Sequence, residues 1–127
     1  EMMAAYHRVD IALDPFPYNS HSSGMDTLWA GVPMITLLGN TFAGRVGASL
    51  LGAAGLHECI TRSSEEYRQL CLELYRQPDR LQQLRQRLVN GRKTAPLFDM
   101  PQFARSLEDI YLKVSAAGSM AESAGCK

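Results

Sequence analysis

The sequence is poor in the features that mark several large classes of protein. No stretch approaches the roughly 20 consecutive apolar residues of a bilayer-crossing helix, so no membrane span is expected. The first ten residues, EMMAAYHRVD, lack the basic start and long apolar core of a secretory leader. They read as the end of a helix running into a strand, which suggests that the chain is the later part of a longer polypeptide. Cysteine is scarce: Cys59, Cys71 and Cys126 are widely spaced, with no CxxC and no metal-finger spacing. That excludes a disulfide framework, fits a reducing, cytoplasmic setting, and makes Cys59 and Cys71 small core residues. Charge of either sign is not in surplus, with 13 basic and 13 acidic residues, which removes the general electrostatic case for nucleic acid. GxGxxG, a P-loop and GxSxG are all missing, so dehydrogenase, NTPase and hydrolase readings lose their usual support.

What is present is an ordinary globular chain of 127 residues, 46% of them apolar. The halves differ. Residues 1–60 carry only Arg8 and Arg45 as full positive charges; the other basic residues lie from Arg62 onward, interleaved with acids as on solvated helix faces. VDIALD (residues 9–14) reads as a buried strand ended by Pro15, and PFPYNSH as a loop. A helix is expected from Ser22 or Ser23 to Ala30, with serine as N-cap and Asp26 in the first turn. Met25, Leu28 and Trp29 share its apolar face, Trp29 as a core or sheet-packing residue, and Gly31 stops it. PMITLL (residues 33–38) reads as a second strand, FAGRVGASLLGAAG as a small-residue helix, and LHECI (residues 56–60) as a third strand. Amphipathic helices follow, with apolar stripes at Tyr67, Leu70, Cys71 and Leu74, then Leu81, Leu84 and Leu88, then Phe103, Leu107, Ile110 and Tyr111. From Ser115 the residues are small and polar and read as a frayed or disordered tail (residues 115–127).

Alternating strands and helices predict an α/β fold on a parallel sheet. Such sheets bind ligands beyond the carboxyl ends of their strands, often on the start of the next helix. HSSGMD (residues 21–26) falls there. Free backbone N–H groups and the positive end of the helix dipole suit a phosphate. Ser22 and Ser23 add hydroxyls, Gly24 lets a ligand approach the backbone, and His21 can donate to a phosphate oxygen. Asp26, one turn beyond Ser22, could accept from a ribose diol. Each has a plainer reading: a serine cap, a structural histidine, a dipole-compensating acid. Arg45 reads as a solvated or ion-paired side chain rather than an anion ligand. On pattern alone both readings stay open.

A longer comparison separates them. LDPFPYNSHSSGMDTLWAGVPMITLLGNTFAGRVGASLL resembles the C-terminal catalytic region of the O-linked N-acetylglucosamine transferase family, whose plant members include SPINDLY. The family's run is roughly NGHTTGMDxLWAGxPxVT. Here Asn19, His21, Gly24, Met25, Asp26, Leu28, Trp29, Ala30, Gly31, Pro33 and Thr36 match; Ser22 and Ser23 replace two threonines, and Ser20 replaces a glycine. Arg45–Val46 and Pro96-Leu97-Phe98 match later blocks, so the resemblance runs from about residue 9 to about residue 114.

The resemblance implies a GT-B fold, of which residues 1–114 would be the C-terminal portion of the donor-binding, Rossmann-like lobe: a short parallel sheet flanked by helices, with a helical second half. It implies tetratricopeptide repeats upstream and a metal-independent, inverting transfer of a sugar to Ser or Thr of proteins. The donor would be UDP-GlcNAc, or GDP-fucose in SPINDLY-type members. His21, Ser22 and Ser23 would contact the diphosphate and Asp26 the ribose, with Gly24 beside them. The family's catalytic-site histidine, a phosphate-binding lysine and the base-holding residues lie in segments absent from this sequence, so no catalytic residue is expected within it, and the chain by itself should hold part of a donor site without turnover. Expected partners are a nucleotide sugar and, for the longer protein, a protein acceptor. An interaction module that has lost catalysis, or a GT-B transferase with another donor or acceptor, are the alternatives.

Overall fold

The computed structural model describes residues 6–124. Three short strands form one parallel sheet in the order β1-β2-β3: β1 (Ala12–Leu13), β2 (Met34–Leu37) and β3 (Ile60–Thr61). Ala12 pairs with Met34 and Leu13 with Ile35; Thr36 pairs with Ile60 and Leu37 with Thr61. Helix α1 (Ser22–Trp29) connects β1 to β2, and α2 (Val46–Ala53) connects β2 to β3. Two successive βαβ units therefore build the sheet, as alternating elements require. Met34, Ile35 and Thr36 are all buried. Since successive strand residues point to opposite faces, the central strand β2 is covered on both. Helices α3 (Ser64–Arg76), α4 (Pro78–Gly91) and α5 (Met100–Ala124) complete the chain.

The core gathers Leu28 of α1, Ile35 of β2, Leu51 of α2, Leu70 and Leu74 of α3 and Leu84 and Leu88 of α4. The expected stripes of α3 and α4 thus face inward. The third expected stripe does not: Phe103, Ile110 and Tyr111 of α5 are exposed, while Pro96-Leu97-Phe98, a 3-10 turn, buries Leu97 against the core. Helix α5 continues through the small polar residues from Ser115 to Ala124; residues 125–127 lie outside the described ones.

The strands are shorter than the sequence suggests. Residues 9–14 contain only two strand residues. Beyond Leu13 only Asp14 keeps a ladder bond, from its N–H to the Ile35 carbonyl at 2.9 Å, before Pro15 ends the run. Residues 56–60, expected as a strand, are mostly a 3-10 turn (His57–Cys59) that delivers Ile60 into β3. The outer edge of β1 has no partner strand among the described residues, and Leu13 there is exposed.

Trp29 also departs from expectation. It is 45% exposed, edge-on to Phe98 with centroids 5.0 Å apart, and covered by the Arg92 guanidinium 5.6 Å from its ring. It sits on the last turn of α1, where Leu28 has already taken the inward direction. Beyond it the helix closes as a Schellman motif. The Val32 N–H donates to the Thr27 carbonyl at 3.1 Å and the Gly31 N–H to that of Leu28 at 3.0 Å. Gly31 has φ +84°, and a Cβ there would lie 3.0 Å from Val89 Cγ2. Gly31→Ala is expected to destabilise the fold by about 1–2 kcal/mol, read as a lowered urea midpoint with an unchanged slope.

The cysteines behave as core residues in differing degree. Cys59 is fully buried and Cys71 half-buried. Burial pushes the Cys59 thiol up to about 12. Since the thiolate is the nucleophile, Cys59 should resist iodoacetamide at pH 8 in the folded protein and react once urea unfolds it. Mass spectrometry of the alkylated peptide checks this.

Candidate functional site

The site is built at the junction of β1, the loop after it, and the start of α1. His21 is the N-cap residue of α1, with φ −104° and ψ −99°, and no side chain caps this helix. The first backbone bond of the helix runs from the Met25 N–H to the His21 carbonyl, at 3.1 Å. The N–H groups of Ser22, Ser23 and Gly24 therefore have no acceptor among the described residues. The start of α3 is a contrast. There the Ser63 hydroxyl accepts from the Glu66 N–H at 3.1 Å, and the Glu66 carboxylate accepts from the Arg62 N–H at 2.7 Å. A helix start finished by its own side chains and one left open coexist in the same chain.

The sequence suggests a serine cap for α1, and the structure corrects this. The helix begins one residue earlier, because the Ser20 N–H is held by the Asp14 side chain at 2.7 Å and His21 enters the cap position behind it. Ser22 and Ser23 consequently stand in the first turn, exposed, with hydroxyls that make no hydrogen bond among the described residues. Asp26 falls in the second turn, not the first. It is half-buried, on the face of Ser22 four residues earlier, and its carboxylate makes no ion pair or hydrogen bond among the described residues.

His21 packs against two aromatic rings. Its ring stacks on Tyr18, with centroids 5.0 Å apart and planes 13° from parallel, and meets Phe42 edge-on at 6.3 Å. Its Nε2 is buried without a hydrogen-bond partner. A buried, unpaired ring nitrogen costs free energy unless something else pairs with it. Phe42 also borders a groove of about 660 Å³ lined by Leu38, Arg45, Ser49 and Leu50. Arg45 is exposed there and makes no ion pair among the described residues.

Gly24 is buried. A Cβ on it would meet Leu50 Cδ1 at 3.0 Å and Ser20 Cβ at 3.2 Å, so the missing side chain lets α1 close onto α2 and the loop, while its N–H remains at the open helix start. The structure thus places His21, Ser22, Ser23 and Gly24 together and puts Asp26 one turn along the same helix. Among the described residues no three of His, Cys, Asp and Glu cluster as metal ligands would.

Residues that local periodicity does not single out hold this arrangement. Asp14 and Asn19 are buried, and Asn19 donates from its side chain to the Pro15 carbonyl and accepts from the Gly47 N–H. An acid ending a strand, directly before Pro15, is the available sequence signal, and it is weak without its partners in view.

The sequence matches the profile of glycosyl transferase family 41 over residues 5–107. The chain belongs to that family. Among curated relatives, the probable UDP-N-acetylglucosamine–peptide N-acetylglucosaminyltransferase SPINDLY of Petunia hybrida is 38% identical over 109 residues, covering 86% of this chain and 12% of that protein. The corresponding probable enzyme SEC of Arabidopsis thaliana is 43% identical over 106 residues, 83% of this chain and 11% of its own length. A solved structure of a mutant O-GlcNAc transferase from Thermobaculum terrenum superposes with a TM-score of 0.82 at 39% identity, covering 87% of this chain and 21% of that one. The family 41 chain therefore spans about an eighth of the length of these curated relatives. Its parallel sheet and flanking helices are part of a GT-B glycosyltransferase fold. Among the described residues no helix is long and apolar enough to cross a membrane.

Proposed function

We propose that this chain supplies the diphosphate- and ribose-binding part of a protein O-glycosyltransferase that uses a nucleotide sugar, with UDP-GlcNAc as the donor its relatives' names favour. The observation that carries the reading is the open start of α1: N–H groups of Ser22, Ser23 and Gly24 without acceptors, beside His21, whose Nε2 has no partner. Sugar transfer breaks the bond between the anomeric carbon and the diphosphate, and negative charge grows on the leaving oxygens. Oriented N–H donors and the helix dipole stabilise that charge without reorganising. In this reading Ser22 and Ser23 add hydroxyl donors, His21 donates from Nε2, and Asp26 accepts from the ribose hydroxyls. The acceptor serine or threonine attacks from the opposite face, which inverts the anomeric centre.

The chain spans about an eighth of the length of its curated relatives, and by itself it is proposed to bind the donor weakly and not to turn it over. The experiment is incubation of the full-length protein with labelled UDP-GlcNAc and a protein acceptor. Label on Ser or Thr supports the reading. Retention of all label in the donor, with a folded protein and a range of acceptors, contradicts it. An interaction module without catalysis is the second reading, favoured by the exposed apolar residues Phe103, Ile110, Tyr111 and Leu112 of α5. It predicts no label transfer and no UDP binding.

A further inference from the structure

We propose that the buried Asp14 carboxylate is the positioning group of this donor site, holding the loop of residues 15–21 so that His21 and the open start of α1 stand where the diphosphate binds. The proposal rests on the reading above and goes beyond it, because Asp14 touches no donor in that reading.

Asp14 lies at the carboxyl end of β1 and is 3% exposed. A buried carboxylate without a counter-ion is costly, and no ion pair reaches Asp14 among the described residues. Its compensation is geometric. One oxygen accepts from the Ser20 N–H at 2.7 Å; the other accepts from the Thr36 hydroxyl of β2 at 2.6 Å. Charge-assisted bonds of this kind are the short, strong ones. The first closes the proline-containing loop into a ring and fixes the residue directly before His21. The second ties that ring to the central strand.

Three further contacts complete the frame. The Asn19 N–H donates to the Ala43 carbonyl at 3.0 Å, and its side-chain oxygen accepts from the Gly47 N–H of α2 at 3.3 Å. The Tyr67 hydroxyl of α3 donates to the Asp14 carbonyl at 3.1 Å. Gly47 closes the back of the carboxylate: a Cβ there would lie 2.1 Å from Asp14 Oδ2 and 2.4 Å from the Thr36 hydroxyl. Any side chain at 47 must push the carboxylate or the hydroxyl away. β2, α2 and α3 therefore all bear on Asp14 or its loop, and Asp14 passes that constraint to Ser20 and His21.

The test uses the full-length protein and UDP as ligand. Thr36→Val keeps the shape and removes the hydroxyl donor; Thr36→Ser restores it. Thermal melts establish a temperature at which every variant is folded, and calorimetry at that temperature gives the UDP affinity. Thr36→Val is expected to weaken UDP binding on the order of ten-fold, the scale of one charge-assisted hydrogen bond, and to shift the His21 imidazole nitrogen resonances without ligand. Thr36→Ser should return both to wild type. If Thr36→Val does not fold, Asp14→Ala replaces it, since it leaves neither the Ser20 N–H nor the Thr36 hydroxyl a side-chain acceptor at position 14; the same two shifts are expected. A folded variant with wild-type affinity and wild-type His21 resonances, whatever its melting temperature, overturns the positioning role while leaving the donor site intact. Wild-type protein that does not bind UDP overturns the donor-site reading and this proposal with it.

Discussion

Replacing His21 with alanine in the full-length protein is expected to lower turnover of the nucleotide sugar by about 10²–10³-fold, the loss typical of removing one preorganised donor from a developing oxyanion. Three observations set that size. The ring already packs on Tyr18 and edge-on to Phe42, which orients it before a ligand binds. Its Nε2 lacks a hydrogen-bond partner among the described residues, so its hydrogen-bonding capacity is unspent. It also adjoins the N–H groups of Ser22, Ser23 and Gly24, which lack acceptors among the described residues and in the proposed reading act on the same charge. The loss should appear in kcat more than in acceptor KM, because charge on the leaving group grows only toward the transition state. Steady-state kinetics with varied donor and acceptor separate the two. A fall confined to acceptor KM would remove His21 from the donor site.

Leu28→Ala is expected to destabilise the fold by about 2–5 kcal/mol, a large part of the stability of a domain this size. Leu28 is 0% exposed and holds the inner face of α1 against the core that includes Met34, Ile35 and Leu88. The core around it is drawn from three other helices and a strand, which cannot all collapse into the space a leucine leaves. Its neighbour provides the control. Trp29, though larger, is 45% exposed, and Trp29→Ala should cost distinctly less, about 1 kcal/mol from its contacts with Phe98 and Arg92. Urea unfolding followed by far-UV circular dichroism orders the two. The reverse order would mean that α1 is anchored by its exposed end rather than by its core face.

Much of the architecture is legible in the sequence because it is written locally. Leu70 and Leu74, or Leu84 and Leu88, recur at helical spacing and point inward, and Ser63 with Glu66 marks the start of α3. Gly31 announces the end of α1 through a backbone angle that favours glycine. What is not legible depends on pairings across the chain. The strand beginning at residue 12 is cut short by Pro15 and by having a single neighbour, and neither effect shows in the hydrophobicity of VDIALD. Trp29 looks like core by spacing, but Leu28 occupies the inward direction first.

The candidate site divides in the same way. The open helix start follows from the order strand, loop, helix, and HSSGMD marks it. The frame behind it does not follow, because Asp14 finds Thr36 across 22 residues and Asn19 finds Gly47 across 28. The serine cap is the instructive error: Ser22 and Ser23 have the right chemistry for a cap, but the Asp14–Ser20 bond moves the cap to His21. Both serines are thereby left exposed in the first turn of α1.

In the proposed reading the start of α1 receives the donor diphosphate. The most direct measurement is a UDP titration followed through the backbone amide resonances of residues 22–26. Ser22, Ser23 and Gly24 are expected to shift furthest, saturably and together, with Asp26 following and the amides of α4 unmoved. Amides at residues 22–24 that stay in place at millimolar UDP, while the protein remains folded, would contradict it.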